Sequence, residues 1–204
     1  SSSADVTGEG LGVVWNTGAV YYVGGLIGKA ENNSSIVSSS NSGKVFSNST
    51  NDSKYIGGLV GHLTSSELKD SFYKGELEVK SSAGLTDCSG GLIGELAAPS
   101  GPLLISGCFN EGSISVSSNY ETKFNGGLIG NVDGTFATSI NIIACHNKGI
   151  INATSNNKVN CNGGLFGQIS NRSSCIISDC FNNSEVSSVS TNNNVIYTGG
   201  LIGR

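Results

Sequence analysis

The chain has 204 residues, of which 37% are hydrophobic and 13% charged, and its formal net charge is -4. This is enough apolar material for a continuous core in one or two domains, while the mild acidity and the absence of any Lys/Arg cluster exclude a phosphate-tracking nucleic-acid binder. No apolar run is long enough to span a bilayer as a helix, and no basic segment followed by an apolar one opens the chain, so no membrane span is expected.

Charged residues reach about half the roughly 25% usual in soluble domains, which leaves Ser, Asn, Thr and Gly to form most of the surface. The chain contains no Met, as expected of a processed mature product or an excised segment. Asn and Ser crowd together, and sequons of the form Asn-x-Ser/Thr fall at Asn32, Asn33, Asn48, Asn51, Asn152, Asn171 and Asn182. Their count is little above chance for this composition, but they lie between the repeated motifs, where loops are expected, and this makes them candidate N-glycosylation sites.

In chain order, the first motif is VWNTGAV from Val14, followed by GGLIG at Gly24. The pair then recurs: SSNSGKV from Ser39 and GGLVG at Gly57, SFYKGEL from Ser71 and GGLIG at Gly90, CFNEGSI from Cys108 and GGLIG at Gly126. CHNKGII from Cys145 precedes GGLFG at Gly163, and CFNNSEV from Cys180 precedes GGLIG at Gly199. The anchors Gly24, Gly57, Gly90, Gly126, Gly163 and Gly199 are 33, 33, 36, 37 and 36 residues apart, a period that signals one stacked supersecondary unit over a single domain, 1–204.

Asn and Gly tolerate left-handed backbone, so Asn-x-Gly at a fixed place in each repeat predicts a recurring turn. The flanking segments, such as ELEVK, SISVSS and NVIYTGG, are short, β-branched and alternating, and none has helical periodicity. The predicted fold is all-β, a right-handed parallel β-solenoid of about six rungs with roughly three short strands per rung and no substantial helix. Stacking then places like on like. Leu26, Leu59, Leu92, Leu128, Leu165 and Leu201 form one core ladder, Val20, Val45, Leu77, Ile114, Ile151 and Val186 a second, and Tyr22, Tyr55, Cys88, Phe124, Cys161 and Tyr197 a third. A disordered low-complexity chain would not keep such ladders in phase, and a β-propeller blade needs four strands and a longer repeat.

GGLIG combined with a C-F-N-x-G turn resembles the GLUG-type repeats of bacterial and protist surface proteins, among them large adhesins and secreted peptidases that carry the repeats outside the catalytic part. The resemblance implies an extracellular or cell-surface β-solenoid and no reaction.

Cys88, Cys108, Cys145, Cys161, Cys175 and Cys180 contain no C-x-x-C, and the two histidines, His62 and His146, fall in different slots, so no metal or other cofactor is expected. The cysteines alternate with Ser, Val and aromatics at equivalent places, as buried small residues do. Mostly unpaired thiols are expected, with Cys145–Cys180 and Cys175–Cys180 as the pairs to consider. Asp52, Asp87 and Asp133 fall in differing loops, Asp70 and Asp179 lie three rungs apart, and Cys145 and His146 point to opposite faces of one strand. No catalytic role is expected, and a polysaccharide-active β-helix enzyme ranks third among the readings. The slot after the cysteine slot holds Trp15, Ser40, Phe72, Phe109, His146 and Phe181, which predicts an external aromatic stripe at Trp15, Phe72, Phe109 and Phe181 unless loops fold over it.

Neither end shows an atypical capping repeat. Continued from Arg204 into Ser1 of a second copy, the spacing from Gly199 to the next Gly24 is 29 residues, close to one repeat. The sequence therefore predicts an extracellular structural protein whose partner is itself, stacked head to tail into a filament or surface fibre. The alternative is a segment of a large adhesin that binds carbohydrate or a host protein.

Overall fold

The computed structural model describes residues 3–4, 7–8, 12–16, 18–98, 103–134, 139–171, 174–192 and 194–204, with side chains described from Asn16 onward in that set except at Asn171. Each rung but the last contains five short strands, which in the third rung are Glu67–Lys69, Phe72–Tyr73, Leu77–Ser81, Thr86–Gly90 and Ile93–Ala98. Each strand pairs in parallel with its counterparts one rung before and after, which gives five sheets, named I to V in that order. Sheets I to IV hold six strands each and sheet V five. The fold is therefore the expected all-β parallel solenoid, with no helix among the described residues. Its rungs are cut into five strands where three were expected.

Sharp corners cause the extra division. Between sheets I and II the chain turns through a left-handed residue in every rung from the second on: Ser38, Asp70, Gly107, Ala144 and Asp179. The residue after each corner donates its side-chain hydrogen to the carbonyl two residues back, over 2.9 Å from Ser39 to Val37, 2.6 Å from Ser71 to Lys69 and 3.2 Å from Cys108 to Ser106. Cys145 and Cys180 do the same to Ile143 and Ser178. The cysteine slot is thus a small-donor position, which explains why Ser and Cys share it.

The Asn-x-Gly turns form between sheets II and III. Asn41, Asn110 and Asn147 each accept a hydrogen bond from the N–H of the glycine two residues on, closing an Asx turn. All three are fully buried, and they continue from rung to rung as a ladder, Asn110 Nδ2 donating to Asn147 Oδ1 at 2.8 Å and Asn147 Nδ2 to Asn182 Oδ1 at 2.9 Å. In the third rung the place is taken by Tyr73, also fully buried, whose hydroxyl donates to the Gly43 carbonyl.

The repeated pentapeptide links sheets IV and V, and the second-rung copy shows why it is spelled with three glycines. A Cβ on Gly57 would sit 2.0 Å from its own Val60 carbonyl oxygen, one on Gly58 2.2 Å from the Gly91 oxygen of the next rung, and one on Gly61 2.6 Å from the Gly28 oxygen of the previous rung. Each obstacle is backbone, so no rotamer relieves it. Between these glycines Leu59, Leu92, Leu128 and Leu165 are at most 1% exposed and stack through N–H to carbonyl bonds between successive leucines. Burying such a side chain contributes about 1.5–3 kcal/mol. Leu26 is half-buried and Leu201 is 49% exposed, so the leucine ladder is a core ladder in its four inner members.

Two expected ladders differ in the first rung or in direction. The strand Gly12–Asn16 pairs with Val45–Ser49, so Gly12, and not Val20, continues the ladder Val45, Leu77, Ile114, Ile151 and Val186. Val20 instead pairs with Ser53 in sheet IV. The Asn16-x-Gly18 turn does form, with Gly18 N–H bonded to Asn16 Oδ1 at 3.1 Å, but at the corner between sheets III and IV. The third ladder is not a regular core column: Tyr22, Tyr55, Cys88, Phe124, Cys161 and Tyr197 all have φ between 50° and 62°. The pairing register skips each of them, as at a bulge, so Cys88 and Cys161 are buried while Tyr55 and Phe124 are half-buried and Tyr22 and Tyr197 exposed.

Candidate functional site

Sheet II consists of two-residue strands, and from the second rung on alternation turns the second residue of each, Asn41, Tyr73, Asn110, Asn147 and Asn182, inward and its neighbour outward. The outward neighbours stack face to face: Phe72 on Phe109 at 4.8 Å between ring centroids, Phe109 on His146 at 5.1 Å and His146 on Phe181 at 4.8 Å, with interplanar angles of 6°, 4° and 0°. Phe72, Phe109 and His146 are half-buried, and Phe181, in the last rung, is 48% exposed. Lys74 Nζ lies over both Phe72 and Phe109, and Glu111 bridges Lys74 and Lys148 across three rungs. Burial, reinforced by the Lys148 charge, holds His146 below the usual imidazole value.

Phe72, Phe109 and Phe181 thus share one stack with His146, in which Phe181 is exposed and the others half-buried. Trp15 does not join it: its backbone pairs with Asn48 in sheet III, and Thr7 holds the first-rung place beside Ser40. The side chain of Trp15 lies outside the described residues. Because each inner ring covers its neighbour's face, the stack shows ring edges along its length, which is poor geometry for a sugar lying flat on an aromatic face.

A second group, not singled out by sequence reasoning, occupies the junction of sheets IV and V. Tyr22 and Tyr55 stack at 5.2 Å, and His62 meets both rings edge-on at 5.6 and 5.5 Å. His62 Nε2 is 2.6 Å from Thr64 Oγ1, and Nδ1 lies 3.0 Å from Glu95 Oε2, close enough for an ion pair though off the line of a hydrogen bond. Asn131 Nδ2 donates to Glu95 Oε1 at 3.2 Å. Burial pushes the Tyr55 hydroxyl up to about 12 and the Cys88 thiol well above its ordinary value, with Asp87 as the next cause at Cys88. The sequence signal was available, since His62 and Glu95 each directly follow a GGLxG copy and occupy one position of successive repeats. Among the described residues no group of three or more His, Cys, Asp or Glu side chains could hold a metal ion.

All six cysteines are free thiols. Cys145 N–H points to Cys180 Sγ at 3.4 Å, and hydrogen bonding with the Cys108 thiol pushes Cys145 up to about 12. This disfavours the Cys145 thiolate, and the thiol donates to the Ile143 carbonyl.

Among the sequons, Asn32, Asn33, Asn51 and Asn152 are exposed and Asn48 is half-buried. The side chain of Asn171 lies outside the described residues. Asn182 is half-buried and ends the asparagine ladder, accepting from Asn147 and donating from Nδ2 to the Ser184 carbonyl at 3.0 Å.

The last rung exposes what earlier rungs bury. Leu201 is 49%, Ile202 40% and Val195 41% exposed, whereas Leu165, Phe166 and Val159, one rung earlier, are at most 1% exposed.

No curated protein and no solved structure matches the chain. Residues 19–45 match the GLUG motif, and in the fold this stretch is most of one circuit, from the strand Val20–Gly24 through Ile27–Ala30, Ser35–Val37 and Ser40–Asn41. Residues 19–45, one circuit of this parallel β-solenoid, thus carry a GLUG motif.

Proposed function

We propose that this solenoid is an extracellular structural element that extends by end-to-end strand pairing, the last rung of one copy receiving the first rung of another. The equivalence of the first and last rungs at their apolar and glycine positions carries this reading. The first rung has matching residues at the same positions: Val20 for Val195, Leu26 for Leu201, Ile27 for Ile202 and Gly24-Gly25 for Gly199-Gly200. Pairing of this kind satisfies a row of backbone donors and acceptors and buries apolar ladder positions at once. Exposed sequons at Asn32, Asn33, Asn51 and Asn152 support a secreted, glycosylated setting.

A further GLUG-like repeat of a longer surface adhesin fits the same face, and that is the second reading. Electron microscopy of the purified chain separates the two. Self-stacking predicts unbranched fibres with an axial repeat of about 29 Å, six rungs at about 4.8 Å; isolated short rods at all concentrations would refute it.

A further inference from the structure

The solenoid interior is not apolar throughout. Where sheets III and IV face each other in the second rung, Ser47, Ser49 and Ser53 satisfy one another, with Oγ to Oγ distances of 3.3 Å for Ser47–Ser53 and 2.9 Å for Ser49–Ser53. Beyond that cluster the pattern changes. Thr86 Oγ1, Ser89 Oγ, Thr122 Oγ1, both amide atoms of Asn125 and Oδ1 of Asn162 are buried without a hydrogen-bond partner among the described residues. All five residues are 0% exposed.

These atoms are contiguous. Thr86 pairs with Thr122, Ser89 with Asn125 and Asn125 with Asn162, so they lie in two neighbouring columns on the inner face of sheet IV over three successive rungs. Ile56, fully buried, occupies the second-rung place in the Ser89 column and closes it. At the other end Asn162 Nδ2 donates to the Ser187 carbonyl and to Ser188 Oγ, both at 2.8 Å, and Ser188 in turn bonds exposed Thr198. The facing column of sheet III shrinks in the same direction, from Val79 and Val116 to Ala153 and Ser188, which leaves more room towards the last rung.

Buried polar atoms are nearly always paired, and one unpaired hydroxyl would be an exception to explain. Here several lie together, and a single Asn side chain can take up to four hydrogen bonds. A charged ligand is excluded by the lack of any ionisable side chain among the five. Water has the right size, and buried waters typically make about three hydrogen bonds to such groups.

We infer that a file of ordered water molecules runs between sheets III and IV, held by Thr86, Ser89, Thr122, Asn125 and Asn162, blind at Ile56 and continuous with solvent past Ser188 and Thr198. The interior is thus divided lengthwise into an apolar core and a hydrated vein. The competing arrangement is a dry one in which the Asn125 and Asn162 amides turn to bond each other directly, as Asn110 and Asn147 do.

A crystal structure at atomic resolution tests this. Ordered density is expected within about 2.7–3.2 Å of the Thr86 and Thr122 hydroxyls and the Asn125 amide. A direct Asn125–Asn162 amide bond with no density between the sheets would overturn it. Water-to-protein cross-relaxation in solution is the second readout: Thr122 and Asn125 amide protons should show contacts of the sign given by long-lived bound water. Absence of those contacts, in protein whose other amides show native dispersion, would likewise overturn it.

Discussion

Phe109 and His146 lie ring on ring, 5.1 Å apart and 4° from parallel, in a stack whose other members are Phe72 and Phe181. A histidine in a phenylalanine stack ties fold stability to pH. Burial and then Lys148 lower the His146 value, with Glu111 opposing. As pH falls the unfolded chain therefore takes up the proton first. His146 contributes full stability above its unfolded value of 6.5, and that contribution is lost as pH falls from there through the folded value. His146→Phe should remove this loss: thermal unfolding between pH 7.5 and 5 should show a smaller drop in Tm for the variant than for the parent protein.

Cys145 is a hydrogen-bond donor in a place where Ser39 and Ser71 serve the same purpose. Cys145→Ser should therefore stay within about 1 kcal/mol of the parent. Cys145→Val, close in volume and more apolar, removes that donor while the Ile143 carbonyl keeps its bond from the Gly107 N–H, and should cost about 0.5–1.5 kcal/mol. Urea denaturation of the two variants under reducing conditions checks the order, which would be reversed if the slot were simply apolar.

The second glycine of the pentapeptide offers an internal control. A Cβ on Gly91 would lie 2.2 Å from the Gly127 carbonyl oxygen, whereas one on Gly200 meets nothing within 4 Å. Gly91→Ala should cost about 3 kcal/mol or more, and Gly200→Ala should leave Tm unchanged or slightly raised, because the unfolded chain loses entropy. Calorimetry of both variants in dilute solution measures the contrast.

Sequons should divide by burial. Expressed through a glycosylating secretory pathway, the chain should carry glycans among Asn32, Asn33, Asn51 and Asn152, and none at Asn182, whose amide is committed to the ladder. Glycopeptide mapping reads this residue by residue.

Much of the fold was legible because stacking repeats a local need at a fixed spacing. GGLxG marks the same three backbone obstructions in rung after rung, and Asn-x-Gly the same Asx turn. Two features escaped for physical reasons. Asn16-x-Gly18 makes the same local turn as the later motifs, so turn chemistry alone could not tell that it closes a different corner. The left-handed column from Tyr22 to Tyr197 escaped because one skipped residue reverses the alternation, and aromatics there resemble core residues until the register is known. The water-lined vein was hidden for a related reason: Thr86, Ser89 and Asn125 look like surface residues in composition. Only the pairing register turns them inward.

The most direct test of end-to-end pairing uses Gly200 again. In the interior, a Cβ on Gly164 would lie 2.0 Å from the Gly200 carbonyl oxygen, and a stacked copy would bring its Gly25 carbonyl to the same place over Gly200. Sedimentation velocity of the parent chain and Gly200→Ala should therefore show concentration-dependent assembly of the first and a folded monomer for the second. A parent chain that stays monomeric throughout, or a variant that assembles equally well, would contradict head-to-tail stacking.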